Sequence, residues 1–209
     1  MKPIAILGGT FNPIHHGHLR VAIEVKEALD LAEVHLIPLL APPHREPPKV
    51  SAHTRFEMIA AATNDESELI ADDREIRRGG ISYSVETLRE LRAENASTPI
   101  CMVVGTDAFA HLHTWRDWKE LITLAHIVVV HRPGVDLPSD APANLLLEEF
   151  GTDEVADLHA SPAGRFMSIS IPMLEISSTQ IRSILHNGLS PKYLLPKSVL
   201  NIIREHELY

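Results

Sequence analysis

The sequence predicts an α/β fold in one domain, built on a doubly wound and mostly parallel sheet. Short apolar runs stopped by Gly or Pro alternate with segments of helical period from end to end. Residues 1–40 alone read as strand, loop, helix, strand, and a right-handed parallel crossover fits that order best. No internal repeat or low-complexity linker divides the chain, so residues 1–209 are read as a single domain.

Ile4–Leu7 is an apolar run ended by Gly8-Gly9, a buried strand. Leu19–Leu31 places apolar residues at 19, 22, 23, 25, 28 and 29 among charged ones, which is helical spacing. Val34–Leu40 is the second strand. The proline-rich "APPHREPPK" at 41–49 is an extended loop. A helix over Thr54–Thr63 and a short strand over Leu69–Ala71 follow. After Gly79-Gly80 a helix runs from Ser84 to about Glu94, and Pro99–Val104 is a central strand stopped by Gly105. Trp115–Leu124 is predicted helical and Ile127–Val130 a strand. Pro133–Gly164 carries prolines, acids and little periodicity, so a variable surface excursion is expected around 135–164. Phe166–Ile171 alternates weakly as a strand. Thr179–His186 is a helix stopped by Gly188, and Pro196–Glu205 a final one.

The totals exclude several classes. A net charge of −9 and a pI of about 5.8 argue against nucleic-acid or anionic-membrane partners. The N-terminal "MKPIAILGG" is too short for a secretory apolar region, and no run approaches membrane-spanning length. The one cysteine, Cys101, lies in an apolar run and reads as a buried hydrophobe in a cytoplasmic protein.

Ligands in doubly wound sheets sit beyond the carboxyl ends of the strands, near the switch point. That directs attention to residues 8–18, 41–49, 105–115, 131–134 and 172–178. The first of these loops reads "GGTFNPIHHGHL". Zinc is a poor match, because His15, His16 and His18 at a helix start diverge by about 100° per residue and no HExxH or Cys accompanies them. A serine hydrolase would need a GxSxG elbow, and there is none. Phosphate binding fits: a strand–loop–helix brings backbone N–H groups and a dipole end to an anion. Gly8, Gly9 and Gly17 would let backbone approach the ligand. GxGxxG and GxxxxGK[ST] are absent, so the imidazoles would take the part a P-loop lysine plays, with His15 and His18 on one face and His16 off it. A capped helix with exposed histidines remains the plain alternative.

These residues carry a resemblance. "GGTFNPIHHGH" is similar to the T/HxGH signature of the nucleotidylyltransferase superfamily, and "ISSTQIRS" at 176–183 resembles its ISSTxIR motif. "PPHR" at 42–45, "SYSVETL" at 82–88, "GTDAFAHLHTWRDW" at 105–118 and "VVVHRPG" at 128–134 narrow the likeness to the bacterial nicotinate-nucleotide adenylyltransferase family. Asn12, often Asp in the family, and Ser84, often Thr, depart from the pattern while keeping a small polar group.

The resemblance implies a Rossmann-like nucleotidylyltransferase fold and adenylyl transfer from ATP to nicotinate mononucleotide. The products are deamido-NAD and pyrophosphate, in NAD biosynthesis. Attack is direct and in line, without a covalent enzyme intermediate, so the motifs supply donors rather than a nucleophile. It implies His15, His18 and Arg182 as catalytic donors. Gly8, Gly9, Thr10, Phe11, Gly105, Asp107, Ile176 and Ser178 would join them in holding ATP, with Asp107 accepting from ribose or, more plainly, capping a turn. His44, Arg45, Tyr83, Ser84, Thr87 and Trp115 would hold the acceptor. Trp115 is the stacking face and the helix-start N–H groups near Ser84 take the carboxylate, while Trp118 packs and Arg132 braces the sheet end. Mg²⁺ would come with ATP, held by phosphate and water, and no protein metal ligand is expected. Monomer and homodimer are both compatible with the sequence.

Overall fold

The computed structural model describes residues 1–43, 46–134 and 142–209. Among the described residues six strands form one parallel sheet: β1 (Ile4–Gly9), β2 (Glu33–Pro38), β3 (Leu69–Ala71), β4 (Ile100–Gly105), β5 (His126–His131) and β6 (Phe166–Ser170). Their order is β3-β2-β1-β4-β5-β6, so the winding reverses between β1 and β4. That is the doubly wound arrangement the alternation predicts, with its switch point beside Gly8-Gly9 and Gly105.

The helices are α1 (His16–Ala28), α2 (Ala52–Thr63), α3 (Arg74–Arg78), α4 (Ser84–Glu94), α5 (Thr106–Ala110), α6 (Leu121–Leu124), α7 (Asn144–Phe150), α8 (Val155–Ala160), α9 (Ser178–His186) and α10 (Lys197–Glu205). Strand side chains alternate between faces, so the sheet builds a core on each side. Ala5, Leu36, Cys101, Val103 and Val128 meet α1, α2, α9 and α10. Ile6, Ile37, Met102, Val104 and Val129 meet Val85, Leu88 and Leu91 of α4 together with Phe109. Cys101 is buried, as its apolar run implies, and burial pushes its thiol up to about 12.

Two expectations fail here. A continuous helix over Trp115–Leu124 does not form. Trp115 is extended and Asp117 takes a left-handed conformation (φ +50°), so the segment holds only a 3-10 turn at Trp118–Glu120 before α6, and another such turn, Leu112–Thr114, precedes it. Nor is the segment after Pro133 mere surface excursion, although residues 135–141 lie outside those described. Its remainder holds α7 and α8, which bury Leu146 and Leu158, and a ring nitrogen of His159 pairs with the Leu29 carbonyl at 2.9 Å. Periodicity missed these helices because they are short and each buries few side chains. Among the described residues no helix is long and apolar enough to cross a membrane.

Candidate active site

At the switch point a cavity of about 360 Å³ opens over the carboxyl ends of β1, β2 and β4. Gly8, Gly9, Thr10 and Gly105 line it, together with Tyr83, Ser84, Thr87, Trp115 and Arg116. A Cβ on Gly8 or on Gly105 would meet no protein atom within 4 Å. It would project into open space, and room for a backbone approach is what was expected of Gly8.

Gly9 and Gly17 serve differently. A Cβ at Gly9 would sit 2.9 Å from the Phe11 ring, whose backbone is left-handed (φ +46°). A Cβ at Gly17 would sit 3.0 Å from the His15 ring and 3.3 Å from the Ile176 carbonyl. Both glycines make room for neighbouring groups, because the loop folds back on itself.

The histidines converge, as their spacing suggests, although His15 is the N-cap of α1 and not part of its first turn. The His15 and His18 rings stack at 3.7 Å, and the Phe11 ring meets His18 edge-on at 5.0 Å. Burial, then the neighbouring His16, pushes the His15 imidazole down to about 4; burial, then His15, pushes His18 to about 3. Both are therefore neutral near pH 7, unlike a P-loop lysine. Each ring has a buried Nδ1 without a hydrogen-bond partner among the described residues. A phosphate oxygen is the kind of group they lack. The His16 N–H is already given to the Leu194 carbonyl, so fewer helix-start donors are open than sequence alone implies.

The second motif is bound to the first. The Ser177 hydroxyl caps α9 by accepting from the Gln180 N–H, Ser178 Oγ donates to the Pro13 carbonyl, and Arg182 Nη1 donates to the Asn12 carbonyl at 2.8 Å. Ile176 gives its N–H to the Leu174 carbonyl, which leaves its carbonyl beside Gly17. Asp107 is exposed in the first turn of α5 and makes no hydrogen bond among the described residues. It is not a cap, since Gly105 occupies that position.

On the acceptor side, Tyr83 is the N-cap of α4 and no side chain caps the helix. The leading N–H groups at Ser84 and Val85 have no partner within the helix. Thr87 is committed to structure: its hydroxyl donates to Glu75 Oε1 at 2.6 Å and accepts from Arg78 at 3.0 Å. Trp118 packs against the second core, and Arg132 pairs with Glu175 at 2.7 Å, bracing the sheet end to the 172–178 loop. His44 and Arg45 lie outside the described residues.

Three residues escaped sequence reasoning. Arg116 lines the cavity with its guanidinium 4.8 Å over the Tyr83 ring. Arg55 is buried and holds the Thr10 and Leu39 carbonyls, both at 2.6 Å. It shares the buried face of α2 with Met58 and Ile59 at helical spacing, a signal that was available. Tyr209 Oη donates to Asn12 Oδ1 at 2.5 Å across almost the whole chain length, and nothing in the sequence pointed to it.

A parallel sheet wound from one switch point, with a glycine-opened cavity and a paired-imidazole helix start beside it, defines a nucleotide-handling α/β protein. The cytidylyltransferase-like family model matches residues 6–184. A protein of Marinobacter nauticus named "Probable nicotinate-nucleotide adenylyltransferase" is 49% identical, covering 98% of this chain and 95% of that one. One of the same name from Methylococcus capsulatus is 43% identical, covering 99% of each. The Plasmodium falciparum nicotinic acid mononucleotide adenylyltransferase complexed with NaAD shares the fold, with a TM-score of 0.73 at 17% identity over 100% of this chain and 98% of that one. The chain belongs to the cytidylyltransferase-like family and, within it, to the nicotinate-nucleotide adenylyltransferases.

Proposed function

We propose that the chain transfers the adenylyl group of ATP to nicotinate mononucleotide, giving deamido-NAD and pyrophosphate. The observation that carries this is that one cavity is lined both by the Gly8–Thr10 loop and by Trp115, Tyr83 and Ser84. A dinucleotide-forming enzyme needs that span, with a flat apolar face at one end and phosphate donors at the other.

The acceptor's 5′-phosphate is already an anion, so attack on the α-phosphorus of ATP needs alignment and charge stabilisation rather than a strong base. Trp115 stacks on the pyridine ring, and the α4 N–H groups with Ser84 and Tyr83 take its carboxylate. Thr10 and the backbone near Gly9 and Phe11 line the phosphate path. His15 and His18 donate to the α-phosphate region, Ser178 and Ile176 shape the ATP side, and Arg182 stabilises departing pyrophosphate. Asp107 accepts from ribose hydroxyls, and His44 and Arg45 hold the acceptor phosphate.

Mg²⁺ neutralises triphosphate charge in this chemistry. Among the described residues no three His, Cys, Asp or Glu side chains converge as a cage. The ion would be held by phosphate oxygens and water, a site that needs no such cage. The enzyme works in the cytoplasm, as monomer or homodimer; a lone buried thiol suits that compartment.

Pyrophosphate release from ATP and Mg²⁺ with a panel of phosphate acceptors tests the reading. Nicotinate mononucleotide should give the highest kcat/KM, above its amide. A higher value with the amide or with an unrelated acceptor such as phosphopantetheine refutes it.

A further inference from the structure

We infer that Glu75 is a specificity-determining residue of the acceptor cavity, its buried carboxylate complementing the fixed positive charge of an N-ribosylated pyridinium ring. The inference rests on the acceptor proposed above.

Glu75 belongs to α3, is 4% exposed, and lines the same cavity as Tyr83, Ser84 and Trp115. Its Oε1 accepts from the Thr87 hydroxyl at 2.6 Å, while Oε2 is buried without a hydrogen-bond partner among the described residues. A buried carboxylate oxygen left unpaired is costly, so its retention in a cavity wall points to a ligand. The nearby cation does not cancel it. Arg78 Nη2 is 3.9 Å from Glu75 Oε1, while Arg78 Nη1 donates to Glu90 at 2.9 Å. Two carboxylates thus share that guanidinium, and Arg116, which also lines the cavity, is turned over the Tyr83 ring and lies 4.0 Å from Glu86 and 3.7 Å from Asp117.

The pyridine nitrogen of nicotinate mononucleotide is bonded to ribose, and the ring carries a positive charge at every pH. The aromatic face of Trp115 favours such a cation, and a desolvated carboxylate adds to the attraction. The ring's own carboxylate is repelled by Glu75. Thr87, which holds Glu75, lies one turn into α4, past the open N–H groups at its start. Repulsion from one side and donors on the other fix which way the ring lies.

The test compares the oxidised mononucleotide with its 1,4-dihydro form, which keeps the carboxylate and phosphate but has a neutral ring. Titration calorimetry without ATP gives Kd for both on the wild type, Glu75→Gln and Glu75→Asp. The wild type should prefer the pyridinium form by about tenfold. Glu75→Gln should weaken that form alone and bring the ratio below about threefold, whereas Glu75→Asp, which keeps the charge, should hold the preference. The ratio within one protein does not depend on the fraction folded, so a destabilised variant still answers. Equal binding of both forms by the wild type, an unchanged ratio in Glu75→Gln, or its loss in Glu75→Asp overturns the inference. Failure of the functional reading looks different, because the wild type then binds neither form.

Discussion

The cavity and the histidine face both draw on the loop that follows β1, yet they are built in opposite ways. The cavity is open, and several polar groups at its edge are lightly engaged: Asp107 makes no hydrogen bond among the described residues, and Arg116 lies only 4.0 Å and 3.7 Å from Glu86 and Asp117. On the histidine face most polar groups already hold protein. Arg55, Ser178 and Arg182 bond to the Thr10, Pro13 and Asn12 carbonyls, and Tyr209 bonds to the Asn12 side chain. The buried Nδ1 atoms of His15 and His18 are left without a partner among the described residues. Such a face is fixed before substrate arrives and reorganises little, which suits charge that develops in the transition state. The cavity suits ground-state recognition. Rate and affinity should therefore separate between the two regions.

The largest break in that comparison is His18→Ala. Removing one preorganised donor typically costs about 10²–10³ in kcat, so at least a hundredfold loss is expected with a much smaller change in ATP affinity. His16→Ala is the internal control, since His16 is outside the stacked pair and its backbone N–H survives the change. If both variants, equally well folded, lose kcat alike, the face is wrongly drawn.

Next come two changes on the cavity side. Trp115→Ala should raise the acceptor KM by about tenfold and leave the ATP KM nearly unchanged, through loss of a large stacking surface. Arg116→Ala should act in the same direction but only by about threefold, because a half-exposed cation is screened by solvent. A shift in ATP KM larger than in acceptor KM for either variant would join the two regions into one.

The sequence made the fold legible because buried parallel strands are short, apolar and stopped by glycine, and that pattern survives in the order of β1, β2, β4 and β5. The two motifs at 8–18 and 176–183 were legible because their residue types are rare at that spacing. Other features were not. Asp117 adopts a left-handed conformation that no local pattern announces, so a broken segment reads as helix. Gly9 and Gly17 look like ligand glycines, and only the packed Phe11 and His15 rings reveal what they clear. The Tyr209–Asn12 contact joins positions 197 residues apart, beyond any periodicity. Neutral imidazoles follow from burial, which the string "HHGH" does not state.

The smallest effect concerns pH, and it contrasts the site histidines with one at the far side of the sheet. His35 on β2 has Nδ1 3.0 Å from Asp72 and Nε2 2.8 Å from Glu33. Burial works against its charge, but the two carboxylates outweigh burial and raise its pKa above 6.5. Asp72 is the counterpart: burial works to raise it, yet His35 and Arg74 hold it down to about 2. Protonated His35 therefore stabilises the fold fully below about pH 6.5, where the unfolded chain is protonated too. As pH rises through the folded pKa that contribution is lost. His15 and His18 run the other way, because the unfolded chain takes up their protons first as pH falls below 6.5 towards 4. His35→Gln should lower Tm by about 2–4 °C at pH 6, an effect on the order of 1 kcal/mol, and the gap to wild type should narrow by pH 8. Thermal melts of both proteins across that range decide it. A gap that widens with pH would mean His35 is held neutral like His15 and His18, and the contrast between the two regions would collapse.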